Sequence, residues 1–249
     1  MPYSRRQRRA MKQAKTYKAE NAIIVAAGVG ERMFPITETT PKPLIEVQGK
    51  RMIESLIESL ILNGITEIVV VVGHLKEQFD YLPGNYQEVK ITLMVNPYYS
   101  TCNNISSLYV AREHLGNTII TDGDIIIHNP NILHPYFEAS GYCSSWAEET
   151  EEWLQGVDEH DYVKTCSRTG GKNGWQLYSI SFWCQEDSNK LRNHLEELFE
   201  KKKVTDVYWD DIPMFYYNQE YSLKIRRINS SDLVEIDSLQ ELLTFSQAI

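Results

Sequence analysis

The chain has 249 residues, of which 42% are hydrophobic and 24% charged, and its formal net charge is −9. This composition is typical of a folded globular protein and excludes a disordered or fibrous chain. No apolar run reaches the roughly 18 residues of a membrane helix, so we expect no membrane insertion. The four cysteines are scattered, and we expect a reduced, cytoplasmic protein without a disulfide framework or zinc site.

The charge is distributed unevenly along the chain. Residues 1–18 hold seven of the 25 basic side chains and no acid, so the remainder carries 18 bases against 34 acids. Such an acidic body is not expected to bind nucleic acid, because phosphate binding depends on clustered Lys and Arg. We interpret residues 1–20 as a basic, flexible N-terminal extension, which could bind RNA or anionic lipid as a minor function.

From Asn21 onward, the hydrophobic pattern predicts strands that alternate with helices. The apolar run 22–27 stops at Gly28, as expected for a buried parallel strand. Further elements are predicted at 51–63 (helix), 67–73 (strand), 76–81 (short helix), 89–95 (strand), 104–115 (helix) and 118–124 (strand). This alternation predicts an α/β fold with a Rossmann-like, mostly parallel twisted sheet and flanking helices.

The pattern changes after about residue 130. Strand-like segments follow one another at 142–147, 162–167 and 176–183, and then come a helix at 187–203, a segment at 206–218 and a strand-helix pair at 233–245. We expect one domain over 21–249. Its first half, 21–130, would bind a nucleotide, and its second half, 131–249, would form a smaller mixed subdomain that binds a second substrate.

The strongest motif is a glycine loop that follows the first predicted strand. It reads Ala26-Ala27-Gly28-Val29-Gly30, with Arg32 and Lys42 downstream. Glycines let backbone N–H groups approach a phosphate closely. The loop is not a dinucleotide-binding fingerprint, because Met33 replaces the third glycine, and it is not a Walker A loop. Two cations beside such a loop favour a polyphosphate ligand.

A second motif, Thr121-Asp122-Gly123-Asp124, ends a predicted strand. Carboxylates at the carboxyl edge of a parallel sheet face the ligand crevice, and Mg²⁺ prefers hard oxygen ligands together with phosphates. A second acid should come from elsewhere, and the candidate is Asp237 in Glu235-Ile236-Asp237. We therefore predict Asp124 and Asp237 as Mg²⁺ ligands and Asp122 as an outer partner on the nucleotide side.

These residues carry a family resemblance. Residues 26–44 contain, complete and with Thr37 in place, a motif that resembles the nucleotidyltransferase pattern AAGxGxRxxPxTxxxPKxL. Outside it, the chain is similar to the bacterial CTP:phosphocholine cytidylyltransferases at Gly73–Leu82, Cys102–Tyr109, Ser181–Trp183, Val207–Asp210 and Val234–Ser238. The similarity covers nearly all of 21–249, apart from the variable stretch 138–175.

The resemblance implies an enzyme that joins CMP from CTP to phosphocholine and releases pyrophosphate. It implies that Gly28 and Gly30 wrap the triphosphate, that Arg32 contacts the outer phosphates, and that Lys42 contacts the α-phosphate. It also implies that a late acid completes the Mg²⁺ site with Asp124. An acceptor phosphate is already anionic, so positioning and charge neutralisation suffice and no histidine is required.

Acceptor and base contacts can be predicted from side-chain chemistry. Aromatic faces with nearby carboxylates hold a quaternary ammonium, and all five tryptophans lie in the second half. We predict acceptor contacts from Trp153, Trp183, Tyr208, Trp209 and Asp210, although any of these rings could instead pack the core. For the base, we predict Asn103 and Asn104 with backbone groups of Ala26 and Ala27; alternatively, Asn104 caps the following helix.

Three alternatives remain open on the sequence. The acceptor could be 2-aminoethylphosphonate, whose primary ammonium favours carboxylates over an aromatic cage. A sugar-1-phosphate is disfavoured, because the second half is aromatic and the chain has no hexapeptide repeats. A regulatory protein that binds a nucleotide without turnover is disfavoured by the presence of Arg32, Lys42, Asp124 and Asp237. The sequence carries no indication of the oligomeric state.

Overall fold

The computed structural model describes residues 15–247. Its strands are β1 (Tyr17–Lys18), β2 (Asn21–Ala26), β3 (Glu46–Val47), β4 (Lys50–Arg51), β5 (Glu67–Val72), β6 (Lys90–Val95), β7 (Thr118–Asp122), β8 (Ile125–Ile127), β9 (Tyr136–Phe137), β10 (Gly141–Thr150), β11 (Leu154–Val157), β12 (Val163–Ser167), β13 (Gly171–Trp183), β14 (Arg226–Arg227) and β15 (Leu233–Glu235). Its α-helices are α1 (Met52–Leu62), α2 (Leu82–Asn85), α3 (Ile105–Val110), α4 (Gln185–Leu195) and α5 (Leu239–Gln247).

The first half forms four parallel strands in the order β7-β2-β5-β6. The side chains of β2, β5 and β7 are buried on both faces, and this burial explains the continuous Val and Ile runs, whereas the edge strand β6 is only partly buried. The predicted α/β class with a mostly parallel central sheet is confirmed. Parallel strands end at one edge, so the chain that follows β2, β5 and β7 meets there.

The second half extends the same sheet with antiparallel strands. The long strand β13 pairs with β7, and β10 and β11 both pair with β13. β12 then pairs with β11. The two predicted halves therefore share one hydrogen-bonded sheet.

Several predicted elements differ in detail from the structure. The sequence pattern missed β11, and β13 begins five residues before the predicted strand at 176. The helix predicted at 104–115 ends at Val110 and is followed by a 3₁₀ turn, Arg112–His114. The helix predicted at 187–203 widens into a π-helical segment at Glu196–Lys201.

The N-terminal extension ends earlier than predicted. Tyr17 and Lys18 pair antiparallel with Phe137 and Tyr136, and Ala19 is buried against the core. Residues 17–20 are therefore part of the fold, because their apolar groups have a partner strand that the local sequence does not reveal. The prediction for residues 1–14 lies outside the described residues.

The last strand of the chain returns to the edge where the site lies. β15 pairs antiparallel with β8, so Glu235 lies opposite Ile125, the residue that follows Asp124. Helix α1 packs behind this pair of strands. Among residues 15–247, no helix is long and apolar enough to cross a membrane.

Candidate active site

The glycine loop follows β2 and continues as three 3₁₀ turns, Glu31–Met33, Ile36–Glu38 and Lys42–Leu44. A Cβ atom on Gly28 would meet nothing within 4 Å, so this backbone faces open space. Gly30 has a φ of 71°, in the left-handed region that favours glycine. The loop can therefore present backbone N–H groups to an anion at close range.

Lys42 brings the loop and the predicted metal ligands together. Its ammonium is nearly buried, and Nζ donates hydrogen bonds to Asp124 Oδ2 and, at 2.7 Å, to Asp237 Oδ1. The exposed Arg32 also donates to Asp237 Oδ1, at 2.9 Å. Four residues from three distant segments thus form one ion-pair network at the edge of the sheet.

The network sets the protonation of its members. Burial lowers the pKa of Lys42, but the carboxylates of Asp124 and Asp237 outweigh this effect and raise the pKa above its ordinary value. Burial raises the pKa of Asp237, but Lys42 and Arg32 together bring that pKa below its ordinary value. At neutral pH, Lys42 is therefore a cation and Asp237 an anion.

Backbone packing determines where Asp124 lies. It follows β7 after Gly123, and a Cβ atom on Gly123 would lie 3.1 Å from both Ala26 Cβ and Pro43 Cγ. The glycine therefore lets the Asp122–Asp124 turn lie against the strand that carries the glycine loop. The β8–β15 pairing then brings Asp237 to the same place from the other end of the chain.

Asp124 and Asp237 form a donor set suited to Mg²⁺. Oxygens of both carboxylates converge on a single atom, Lys42 Nζ, so they can also converge on a bound cation. Among the described residues, no group of three or more His, Cys, Asp or Glu could hold a metal alone. Mg²⁺ is commonly held by one or two carboxylates together with substrate phosphates and water.

Next to this network lies a cleft of about 230 Å³ that is rich in carboxylates. Burial, together with the neighbouring acids Asp124, Asp210 and Glu235, raises the pKa of Asp122 well above its ordinary value. Burial is also the main cause that raises the pKa of Asp210 to about 7 and that of Glu235 to about 7. The cleft thus holds more carboxyl groups than its own cations pair with, and a bound cation would favour their ionised forms.

Two buried polar groups lie beside the cleft. Asp210 Oδ1 and the Tyr142 hydroxyl are both buried, and within the described residues neither makes a hydrogen bond of good geometry. Tyr142 nevertheless lies close enough to lower the pKa of Asp210 as a hydrogen-bond donor, against the larger effect of burial. Glu235 differs, because its Oε1 accepts from Ser179 N at 3.1 Å and from Ser179 Oγ at 2.9 Å. The Asp210 carboxyl is therefore less well satisfied than that of Glu235.

Two aromatic rings form a wall of the cleft. Trp153 and Tyr208 make an edge-to-face contact with centroids 6.0 Å apart, and Tyr208 is 48% exposed. The buried Asp211 supports them, because its Oδ2 accepts from the Tyr208 N–H and its Oδ1 pairs with Arg168. The structure therefore brings Trp153, Tyr208 and Asp210 together, as the predicted acceptor contacts require.

The other two predicted acceptor rings lie elsewhere. Trp183 is 0% exposed and Trp209 is 2% exposed, and both pack in the core with Tyr142. The indole N–H of Trp183 donates to Ser181 Oγ. The prediction that these two rings contact the acceptor is wrong. Neighbouring side chains point in different directions, and both indoles are buried in the apolar core.

The predicted base contacts are only partly at the cleft. Asn104 lines it and occupies the N-cap position of α3, but its Oδ1 accepts from the Trp209 N–H at 2.9 Å and does not cap the helix. The side-chain oxygen of Asn103 accepts from the N–H of Asn104. The carbonyl of Ala27 already accepts from the His74 N–H, and Ala26 ends β2.

Four further cleft residues are absent from the predicted site. Glu152, Leu177 and Glu235 line the cleft, as does Ser179, the partner of Glu235. Ser179 and Leu177 share a face of β13, and strand alternation would have placed them together. No local signal places that face beside the glycine loop, because the β13–β7 pairing is a long-range contact.

A glycine loop with buried and exposed cations, facing acids at the carboxyl edge of a Rossmann-like sheet, defines an enzyme that acts on nucleoside polyphosphates. The comparisons agree, since the family model described as nucleotidyl transferase matches residues 21–139. A 2-aminoethylphosphonate cytidylyltransferase of Lancefieldella rimae is 36% identical over 90% of this chain and 91% of that protein.

Two further similarities refine the class. A choline-phosphate cytidylyltransferase of Streptococcus pneumoniae is 35% identical over 88% of this chain and 94% of that protein. The solved structure of CTP:phosphocholine cytidylyltransferase from Streptococcus pneumoniae matches with a TM-score of 0.82 and 31% identity, covering 93% of this chain and 99% of that one. The chain belongs to the nucleotidyl transferase family, and its activity is that of a cytidylyltransferase.

Proposed function

We propose that the protein transfers CMP from CTP to phosphocholine, forming CDP-choline and pyrophosphate. The observation that carries the proposal is the charge layout of the cleft. Lys42 and the glycine loop provide a site for phosphates, while Trp153, Tyr208 and Asp210 provide a site for a cation. A small zwitterion with a phosphate near an ammonium matches both ends. Relatives named choline-phosphate cytidylyltransferase support this acceptor.

A second acceptor, 2-aminoethylphosphonate, is favoured by a separate observation. Asp210 lines the cleft, and its Oδ1 makes no hydrogen bond of good geometry in the described part of the chain, although the Tyr142 hydroxyl lies nearby. A primary ammonium can donate a hydrogen bond to Asp210 Oδ1, whereas a quaternary ammonium has no N–H. The correction of Trp183 and Trp209 also reduces the predicted aromatic cage to two rings. A relative named for this phosphonate supports the alternative.

The reaction needs little beyond positioning and charge. An anionic oxygen of the acceptor forms a bond to the α-phosphorus of CTP, and the bond from that phosphorus to the bridging oxygen breaks. The electron pair of this bond leaves with pyrophosphate. Lys42 neutralises the charge that grows on the α-phosphate, and Arg32 holds the outer phosphates. The loop N–H groups hold the triphosphate in line with the acceptor.

We propose that Asp124 and Asp237 bind Mg²⁺ directly and that Asp122 is an outer partner of these ligands. When bound, this ion supplies additional charge neutralisation for the phosphates. On CTP binding, Lys42 exchanges part of its pairing with the carboxylates for pairing with phosphate oxygens. We also propose that Asn104, which lines the cleft, contacts the cytosine ring.

A panel assay tests the proposal. Purified protein is incubated with CTP, UTP, ATP or dTTP, crossed with phosphocholine, 2-aminoethylphosphonate or glucose-1-phosphate, with and without Mg²⁺, and pyrophosphate release is measured. We expect release with CTP, Mg²⁺ and one of the two ammonium acceptors, and the higher kcat/KM identifies the acceptor. Release only with UTP and glucose-1-phosphate would contradict the proposal, as would nucleotide binding without any release.

A further inference from the structure

A hydrogen-bond chain ties the glycine loop to the neighbouring strand. Because β5 runs parallel to β2 with Val72 beside Ala26, His74 emerges at the same edge as the loop. The His74 backbone N–H donates to the Ala27 carbonyl at 3.0 Å, and its ring Nε2 lies 2.6 Å from the Thr37 carbonyl oxygen. A carbonyl can only accept, so Nε2 carries the proton in this contact.

Thr37 continues the chain into the loop. It is completely buried, and its Oγ1 donates to the Gly30 carbonyl at 2.8 Å. Its methyl group also leaves little room at Gly30, since a Cβ atom there would lie 3.1 Å from Thr37 Cγ2. The left-handed turn at Gly30 is therefore held by Thr37, and the position of Thr37 is held by His74.

The hydrogen bonds from His74 through Thr37 to Gly30 affect how the loop can bind an anion. A phosphate is attracted by N–H groups and repelled by carbonyl oxygens, so a loop that binds triphosphate must turn its carbonyls away. His74 provides the donor for the Thr37 carbonyl, and Thr37 adds a second donor to the Gly30 carbonyl, which also accepts from the Met33 N–H at 2.9 Å. Within the described residues, no hydrogen bond occupies the N–H groups of Gly28, Val29 and Gly30. The hydrogen bonds of His74 and Thr37 thus hold the loop in its anion-binding conformation before the ligand binds, which lowers the free-energy cost of binding.

We propose that His74 is a positioning residue for CTP. It acts through Thr37 and Gly30 on the triphosphate loop and does not contact the reacting atoms. The proposal rests on the proposed function only in taking this loop as the CTP site. We expect His74 to affect the affinity for CTP and not that for the acceptor. In the described structure, the residues at the acceptor end of the cleft make no hydrogen bond to His74, Thr37 or Gly30.

The test compares two replacements of His74. His74→Leu keeps the volume but removes the donor, and we expect Kd and KM for CTP to rise about fivefold, since one hydrogen bond typically contributes about 1 kcal/mol. The KM for the acceptor and kcat should stay within twofold. His74→Gln can place an amide N–H near the position of Nε2, so its CTP affinity should stay within threefold of the parent.

Gln78→Leu is the matched control. Gln78 donates to the Thr39 carbonyl at 2.8 Å, in the same segment, but it is exposed and lies outside the His74 chain. We expect less than a twofold change in CTP affinity. An effect of Gln78→Leu equal to that of His74→Leu would overturn the proposal, because general loosening of the segment would then explain both.

A double-mutant cycle with Thr37→Val tests whether the residues act as one chain. If His74 acts through Thr37, the double variant should bind CTP no more than about twofold weaker than the worse single variant. Independent, multiplying effects overturn the proposal, as does unchanged CTP affinity in His74→Leu. If His74→Leu does not fold, Thr37→Val with His74→Gln gives the cycle, and unchanged affinity in Thr37→Val overturns the proposal.

Titration of CTP without acceptor separates this proposal from the proposed function. A parent protein that binds no CTP contradicts both the proposed function and the His74 proposal. A parent that binds CTP while His74→Leu binds it equally well contradicts the His74 proposal alone.

Discussion

The nucleotide end and the acceptor end of the cleft are built in opposite ways. The glycine loop, Arg32 and Lys42 come from one short segment, which follows a parallel strand and faces a carboxylate turn from the neighbouring strand. Trp153, Tyr208 and Asp210 come from separated segments, and only the antiparallel half of the sheet brings them together. The function of a contiguous motif can therefore be predicted from the sequence, whereas a binding wall assembled from separate segments cannot.

The two ends also differ in how their charge is balanced. Asp124 and Asp237 at the nucleotide end are paired with Lys42 and Arg32, so the charges cancel inside the protein. At the acceptor end, burial raises the pKa of Asp210 and of Glu235 to about 7, and no cation of the described residues pairs with either carboxyl. We infer that Lys42 at the nucleotide end exchanges carboxylate partners for phosphates when CTP binds. The carboxyl groups at the acceptor end gain a cationic partner when the acceptor binds.

The largest expected effect concerns the nucleotide end. Lys42→Met removes the ammonium that faces the α-phosphate, and we expect kcat to fall by about 10³-fold, as for loss of a preorganised donor in other enzymes. Pyrophosphate release measures the effect. Lys50→Met is the control, because Lys50 is exposed and, among residues 15–247, its ammonium pairs with Glu58 alone. If Lys42→Met retains turnover within tenfold of the parent, the roles of the two ends in this comparison are wrong.

A smaller effect concerns the charge of Asp210. A carboxyl with a pKa of about 7 is protonated at pH 6 and ionised at pH 8, so the kcat/KM for the acceptor should rise across this range. Asp210→Asn should lower that kcat/KM by about tenfold or more at pH 8 and have less effect at pH 6.

The stability of the Asp210 variant provides a second readout. Because the folded pKa lies above the unfolded one, ionisation destabilises the fold progressively as the pH rises from about 4 to 7. The thermal midpoint of Asp210→Asn relative to the parent should therefore be higher at pH 8 than at pH 5. An acceptor pH profile identical to that of the parent would show that Asp210 does not bind the cation.

The smallest effect on catalysis separates two tryptophans. Trp153→Leu removes an aromatic face from the cleft, and we expect the acceptor KM to rise about threefold to thirtyfold, the range of one cation–π contact. Trp183→Leu should leave that KM unchanged but lower the free energy of unfolding by about 3 kcal/mol, because a buried indole is lost. Denaturation by urea and steady-state kinetics measure both. Equal changes in KM would contradict the assignment of Trp183 to the core.

Much of the fold followed from local pattern. The runs before Gly28 and Gly73 predicted buried parallel strands, and both strands are found within one residue of the predicted ends. The short strand β11 and the early start of β13 were missed, because polar residues in these partly exposed strands carry a weak period. The prediction of a flexible extension at Tyr17 and Lys18 failed for another reason, because their order depends on pairing with β9, more than a hundred residues away.

The sequence by itself determined the parallel sheet, the glycine loop with Arg32 and Lys42, and the pairs of acids that the structure brings to it. These features are local, since each depends on backbone freedom or charge within a few residues. Only the tertiary structure decided which aromatic rings reach the cleft. Trp183 and Trp209 have the same chemistry as Trp153, but packing around Tyr142 buries them. Burial depends on long-range strand pairing, which residue type alone does not encode.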